Sequence, residues 1–430
     1  MSDEKRLPLS GYRIIDMTEV WAGPEAATYM AELGAEVIRV ESYPRAAQNR
    51  PLIMPLPGAP QAVTGTADQP GIWERATSYH MANHSKLAVA IDVAKPEGHE
   101  LLMKLVAKAD AYMIGFSAGT AARLRIDYET ISAVNPSIVM VSMPGWGESG
   151  LYQGFSTIGS GLDAFAGHHY LRAYPGGGET SNTASVTHSD AVGCLSVAFA
   201  VMAALHYRER SGKGQYIDMS QAESLIAHLP RQIFEWTMNH RVLEAVGNSD
   251  PQAVPHECYP SLEDDTWITI ACRTDAHWQA LVGALGSPEW ATDPQLATLP
   301  GRLRRRDAID ARVEAWTRQR TNIEAFDLLR AAGVPCGPVY KTVEVLDDPQ
   351  LAARDFWRET DHAYTGPYRR TKLPFRLTAQ PTEITLPTNL VGEHNRQVLT
   401  GLLGYSDAEV EALEAASVIG NSYGKGADID

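Results

Sequence analysis

Cysteine is scarce in this chain. Four residues in 430 (Cys194, Cys258, Cys272 and Cys336) lie far apart and form no CxxC pair, which excludes a disulfide scaffold and a cysteine-ligated zinc site. HExxH and clustered His/Cys sets are also missing, so no metal is expected. No GxGxxG follows a candidate strand and no GxxxxGKS/T occurs, which disfavours a nicotinamide, flavin or nucleotide-triphosphate site. Positive charge is in deficit: 37 Lys and Arg face 52 Asp and Glu, a formal charge of −15, against the basic face that a nucleic-acid partner needs. Long apolar runs are missing too. The longest, Ala191 to Tyr207, is rich in Ala and Gly and falls short of the roughly 20 residues a bilayer needs. It reads as a buried helix, and no membrane partner is expected. The opening MSDEKRLPLSG is polar with no apolar signal core, so a cytoplasmic location is expected.

What is present is a globular composition, 44% hydrophobic and 21% charged over 430 residues, a length that points to two domains. The first 150 residues alternate β-rich runs with helical stretches. Tyr12 to Met17, Glu36 to Val40, Leu87 to Ile91, Ala111 to Phe116 and Ile138 to Ser142 read as strands. Pro24 to Leu33 opens with Pro in a first turn and stops at Gly34, and residues 95–109 and 127–134 read as further helices. This alternation predicts an α/β, Rossmann-like fold with a mainly parallel sheet. Such sheets bind ligands beyond the carboxyl ends of their strands, where the loop Glu19 to Pro24 emerges.

Residues 150–190 are rich in Gly and Ser, but Phe155, Phe165, Tyr170 and Tyr174 within them argue for an ordered, functional segment. A helix over Ala191 to Arg210 stops at SGKG, and a second is expected near 219–240. Composition changes around 245–260, WITIAC (Trp267 to Cys272) reads as a strand, and GVPCGPVY (Gly333 to Tyr340) as a Pro/Gly turn. The expected division is a large domain with its N-terminal piece at 1–225, a smaller α+β domain with linkers at 226–332, and a return piece of the large domain at 333–430. Arg302, Arg304, Arg305 and Arg306 stand at helical spacings from Asp307, Asp310 and Glu314. They read as a solvated helix face, the alternative being a site for a cofactor phosphate.

Asp190 precedes the Ala191 to Arg210 helix, with Ser189 beside it. A carboxylate there faces free helix N–H groups and the positive end of the helix dipole. Locally this describes an ordinary N-cap. It also describes an ionised carboxylate, which can act as a nucleophile and form covalent acyl intermediates.

The opening LSGYRIIDMTEVWAGPEAATYMAELGAEVIRVE (Leu9 to Glu41) is followed in order by KLAVAIDVAKPEG, Asp110 with Phe116, NPSIV, MAALHYRERSGKGQYIDMSQAE, GVPCGPV and GEHNRQVL. This series resembles the class III CoA-transferase family, also called the CaiB/BaiF family, over nearly the whole chain. The resemblance implies that Asp190, just upstream of the MAAL helix, is the nucleophile. It would carry an aspartyl anhydride and then an aspartyl-CoA thioester between an acyl-CoA donor and a carboxylic acid acceptor. It implies CoA as a substrate, no permanently bound cofactor, and a homodimer of interlocked rings. CoA contacts carried over by position are Trp21, Ala22, Ser42, Ile91, Ala94, Gly115, Phe116, Ser117 and Arg123. A guanidinium such as that of Arg123 binds a phosphate in bidentate fashion, while a solvated helix arginine is its plain alternative. Ser42 stands where some relatives have Arg, so Arg39 or Arg45 is expected to meet the phosphate charge.

The same fold hosts acyl-CoA racemases, whose Gly-His-Asp element is here replaced by Gly154, Phe155 and Ser156. Phe and Ser are poor proton-transfer groups, so a racemase is the alternative and a non-catalytic CoA-binding protein the second. His168, His169 and His188 are the remaining histidines in that region: the first two read as pocket or loop-packing residues, the alternative being a substitute for the missing base, and His188 as a group orienting or protonating something, the alternative being a cap of the turn. The formyl-CoA transferase branch has a Gln where Trp21 stands and a glycine-rich loop not visible between 245 and 262. Trp21, Trp146, Phe155 and Phe165 suggest a larger, more apolar acyl group than oxalate.

Overall fold

The computed structural model describes residues 7–46, 50, 71–176, 187–380 and 386–423. The chain divides into two units, one of Met1–Gly167, Ala184–Met238 and Asp355–Asp430, the other of His168–Thr183 and Asn239–Arg354. Composition placed the divisions at 225/226 and 332/333.

The first unit is built on six parallel strands, β1 (Arg13–Met17), β2 (Glu36–Ser42), β3 (Leu87–Ile91), β4 (Ala111–Ile114), β5 (Val139–Ser142) and β6 (Gln215–Asp218), in the order β3-β2-β1-β4-β5-β6. Parallel strands are covered on both faces and so read as unbroken apolar runs. Ile14, Val37, Met113 and Val141 point to one core with Ala26, Met30, Val197 and Val201. Ile15, Ile38, Tyr112 and Met140 point to the other with Leu101, Leu105, Val398 and Val410. The helices of the first part of this unit are α1 (Ala22–Glu32), α2 (Thr77–Ala82), α3 (Pro96–Val106), α4 (Thr120–Leu124), α5 (Tyr128–Val134) and α6 (Gly159–Phe165). A short α7 (His168–Arg172), in the second unit, precedes α8 (His188–Ser211). The expected helix over 219–240 is two, α9 (Gln221–Ile226) and α10 (Pro230–Asn239). They break at Pro230, which suits a first helical turn and not an interior.

At 24 residues α8 is long and apolar enough to cross a membrane by length and composition, yet half of its most apolar window is buried inside the protein. It packs on α1 and α9, as the core helix expected from its small residues.

The C-terminal piece closes the free edge of β3. Ile91 bridges Ile419, Ala90 N–H donates to Asn395 Oδ1 (3.0 Å), and Asp92 N–H donates to Val418 O (2.8 Å). The large unit is thus assembled from both ends of the chain.

The second unit carries an antiparallel sheet of β7 (His256–Pro260), β8 (Trp267–Ala271) and β9 (Cys336–Val339) over a core around Trp278. β9 corrects the expected Pro/Gly turn. Pro338 is tolerated because the strand lies at the sheet edge and pairs only with β8. Arg302 also departs from the solvated face: it is fully buried and donates to Val254 O (3.1 Å), Leu296 O (3.0 Å) and Asp275 (2.8 Å). Arg302 lies on a helix of Leu299–Arg304, whereas Asp307, Asp310 and Glu314 lie on the next one, Arg306–Thr317, so the expected spacing does not place them on one face. A third, two-stranded piece, β10 (Trp357–Thr360) with β11 (Tyr368–Thr371), belongs to the first unit.

Candidate active site

Strand order reverses between β1 and β4, and in open parallel sheets that switch point is where ligands bind. A cleft of about 650 Å³ opens there, lined by the segments that follow β1, β4 and β5: Thr18 to Val20 with Ala22 and Gly23, Gly115 to Ser117, and Met143 to Trp146. Arg45, Arg123, Phe155, Gly159 and Asp190 complete its wall.

Asp190 does not begin its helix. α8 starts at His188, with Thr187 in the N-cap position. The two leading N–H groups, of His188 and Ser189, donate to the buried carboxylate of Asp163 on α6 at 3.0 and 2.9 Å. The capping role expected locally for Asp190 is therefore filled from elsewhere. Its own carboxylate, largely buried, accepts from Thr187 Oγ1 at 2.5 Å and from the Ala22 N–H at the start of α1. Gly159, at the start of α6, presses directly on it: a Cβ there would stand 1.9 Å from Asp190 Oδ2. Ser189 Oγ donates to Gly159 O at 2.9 Å and holds the two helices in that contact. Burial raises the Asp190 carboxyl above the usual carboxylate range, opposed by the Thr187 hydroxyl, reinforced by the charge of Asp163, and opposed again by the Ala22 N–H.

The loop that supplies the Ala22 N–H is set by a buried polar floor. Asp16, at the end of β1, accepts from Thr18 N–H (2.9 Å), Thr18 Oγ1 (2.5 Å), Lys86 Nζ (3.0 Å) and Arg39 Nη1 (3.4 Å). Lys86 Nζ also donates to Pro24 O (2.7 Å), Ala82 O (3.0 Å) and Asn83 Oδ1 (3.2 Å). Burial lowers the Lys86 ammonium to about 8, while the same pairing keeps the Asp16 carboxyl below its ordinary value. In this loop Val20 adopts a left-handed φ of 68°, a costly conformation for a β-branched residue. Asp16 and Lys86 stand in the motifs quoted above without an assigned role. The available signal was a charge near the end of the first apolar strand and another just before the third.

Of the positions expected to meet CoA, Ala22, Gly115, Phe116, Ser117 and Arg123 line the cleft with Asp190. Trp21, Ser42, Ile91 and Ala94 are not among its lining residues. Trp21 is the N-cap of α1, Ser42 and Ile91 are paired on β2 and β3, and Ala94 N–H turns back to Asp92 Oδ1 (3.1 Å). Arg39 is 1% exposed and committed to Asp16 and Thr18, whereas Arg45 lines the cleft. His188 is exposed at the head of α8, and His168 and His169 lie on α7. The mouth is aromatic: Trp146 meets Phe165 edge-on at 4.6 Å and Tyr152 at 5.6 Å, and Tyr152 meets Phe155 at 5.4 Å.

The strand order is that of a Rossmann-like sheet and Asp190 lines the cleft at its switch point; the comparison with known proteins gives the class of enzyme. The family model described as CoA-transferase family III matches residues 9–395, and the chain belongs to that family and is a CoA-transferase. It is similar to the succinyl-CoA–D-citramalate CoA-transferase of Chloroflexus aurantiacus, at 29% identity over 412 residues, 96% of this chain and 98% of the relative. It is also similar to the formyl-CoA:oxalate CoA-transferase of Bradyrhizobium diazoefficiens, at 28% identity over 432 residues, 96% of this chain and 97% of the relative. A crystal structure of a CaiB/BaiF family protein from Brucella suis superposes with a TM-score of 0.82 at 26% identity, covering 93% of this chain and 100% of that one.

Proposed function

We propose that the enzyme moves CoA from an acyl-CoA donor to a carboxylic acid through covalent intermediates on Asp190. A carboxylate oxygen of Asp190 attacks the thioester carbonyl, the C–S bond breaks, and CoA leaves as a thiolate beside a mixed anhydride. The thiolate attacks the Asp190 carbonyl and releases the donor acid, leaving an aspartyl-CoA thioester. An acceptor carboxylate displaces the thiolate to form a second anhydride. The thiolate then attacks the acceptor's acyl carbon, giving the new acyl-CoA and free Asp190. Each step exchanges one activated acyl bond for another.

The observation that carries this reading is the capping of α8 by Asp163, which leaves Asp190 free to face the cleft. Ala22 N–H and the Thr187 hydroxyl hold its orientation. Against a racemase, no histidine is among the described residues that line the cleft. Arg123 and Arg45 are proposed to meet CoA phosphates, and Trp146 and Phe155 to receive an acyl group larger and more apolar than oxalate. The homodimer implied by the family resemblance is proposed as well. It is supported by the exposed apolar side chains of Leu195 and Phe199 on α8 and Phe234 and Trp236 on α10, and a stable folded monomer in sedimentation would count against it.

The test is intact-mass measurement and hydroxylamine trapping after mixing with acyl-CoA. An adduct on Asp190, absent from Asp190→Asn, is expected. Turnover by Asp190→Ala at near wild-type rate would remove the proposal.

A further inference from the structure

Gln221 lines the acyl-CoA cleft and has no part in the chemistry assigned to Asp190. It opens α9, behind Ser220 as N-cap. The backbone there is stitched to the segment after β5: Gln221 N–H donates to Pro144 O (3.4 Å) and Ala222 N–H to Gly145 O (3.0 Å). The side chain is held as well, because Nε2 donates to Met143 O at 2.9 Å. A backbone carbonyl only accepts, so this bond fixes which end of the amide is which. Oε1 therefore faces away from Met143 O. No described residue donates to it, and it stays open to solvent in the cleft wall.

Oε1 also lies against the helix of the nucleophile. A Cβ on Gly193 would stand 3.5 Å from it. Gly193 follows Asp190 by three residues, which puts the two on one face of α8, on the order of 5 Å apart along it.

The charges of the cleft lie toward its other end. Apart from Asp190 they are Glu19, Arg45 and Arg123, which follow β1, β2 and β4. Arg123 sits on α4, whose Ala121 belongs to the core on the sheet face opposite to α8. By contrast, Met143 to Trp146 and Phe155 to Gly159, with Leu162 and Gln221, carry no charged side chain. These segments follow β5 and β6, across the switch point from Arg45. With the CoA phosphates at the arginines, the acyl chain runs toward β5 and β6. A second carboxylate on that chain would lose water there without gaining a cation. A hydroxyl would meet a fixed acceptor.

We infer that Gln221 sets substrate choice: Oε1 accepts a hydrogen bond from a hydroxyl on the second or third carbon of the acyl group. The substrates are then hydroxy acids with an otherwise uncharged chain, and not dicarboxylic acids. The inference rests on the acyl group lying at Asp190, as proposed above. A site that hydrogen-bonds a substrate hydroxyl disfavours the analogue that lacks it, because its own polar group is left unpaired.

The experiment follows exchange of radiolabelled CoA into butyryl-CoA, 2-hydroxybutyryl-CoA and 3-hydroxybutyryl-CoA in both configurations, and succinyl-CoA. Exchange into at least one hydroxylated thioester should be about tenfold faster than into butyryl-CoA, with succinyl-CoA slowest. In Gln221→Met the ratio of hydroxylated to plain substrate should shrink to about twofold or less. A purely structural role would lower both rates and keep the ratio. Equal rates for hydroxylated and plain thioesters, a ratio unchanged in the variant, or succinyl-CoA as the fastest substrate would overturn the inference. Intact-mass measurement on the same mixtures judges the covalent mechanism separately. Hydroxyl preference without an Asp190 adduct would remove that mechanism and keep the role of Gln221, and adducts without preference would do the reverse.

Discussion

Asp163 Oδ1 holds the Ser189 N–H at 2.9 Å, one residue before Asp190. Two carboxylates therefore share the start of α8: a fully buried one that satisfies the helix and one that faces the cleft.

The charge of Asp163 helps to keep the Asp190 carboxyl raised, and only the ionised form attacks a thioester. The rate of acylation should therefore rise with pH through the Asp190 ionisation, and Asp163→Asn should move that rise to lower pH. Asp163→Ala should instead leave two N–H groups without acceptors and cost about 1–3 kcal/mol of stability. Single-turnover pH profiles read the first effect and denaturant unfolding the second. An unmoved profile in Asp163→Asn would leave that residue a purely structural cap.

Gly159→Ala puts a methyl group where Asp190 Oδ2 now sits. The carboxylate must turn away, and acylation should fall by about 100-fold. CoA affinity should change little. Rapid-quench kinetics alongside equilibrium binding would separate the two quantities.

Lys86→Met should destabilise the fold by about 3–5 kcal/mol, because Asp16 is left buried with Arg39 as its remaining cation. The lysine also carries a pH signature. Its folded value, about 8, lies below the ordinary 10.5, so between those values the unfolded chain binds more protons. Its contribution to stability rises with pH across that window. Urea unfolding from pH 8 to 10.5 should lose this rise in the variant.

Glu25 presents the opposite sign. Burial raises its carboxyl to about 7, with Lys86 and Arg370 opposing, and Oε2 has no hydrogen-bond partner. The native state holds the proton between the ordinary value of 4.5 and about 7, so stability from this group is present at low pH and lost as pH rises through that range. Glu25→Gln should remove the loss and gain about 1–3 kcal/mol at pH 8, measurable as a Tm that falls less between pH 5 and pH 8.

Trp146→Ala should lower acylation by bulky apolar acyl-CoAs about 10–100-fold while sparing small ones. Equal losses across a panel of chain lengths would assign the tryptophan to packing alone.

Five of the six strands were legible because buried parallel strands advertise themselves, whereas β6, half-exposed at the sheet edge, was not expected. Leu87 to Ile91 falls on β3 without error, and the other four expected strands differ from the observed ones by at most two residues at an end. The start of α8 was misplaced by three residues. Asp190 beside Ser189 has the local look of a cap, and the true acceptor lies 26 residues before Ser189, reachable only through the fold. Arg302 and Pro338 went astray for a related reason: local spacing shows neither where one helix ends and the next begins nor which strand an edge residue joins. Five of the nine positions carried over by resemblance line the cleft, as do Trp146 and Phe155. The Asp16–Lys86 floor required knowing that two strands far apart in sequence lie two places apart in one sheet.

The clasp of Ile419 over Ile91 has a bearing on biosynthesis. During translation the outer margin of β3 stays open until residue 419 has emerged, about 330 residues after the strand itself, an interval on the order of tens of seconds at ordinary elongation speeds. A bare strand margin invites pairing with other chains. Shielding by ribosome-associated chaperones, and insolubility of products that stop before residue 419, would follow from the same geometry.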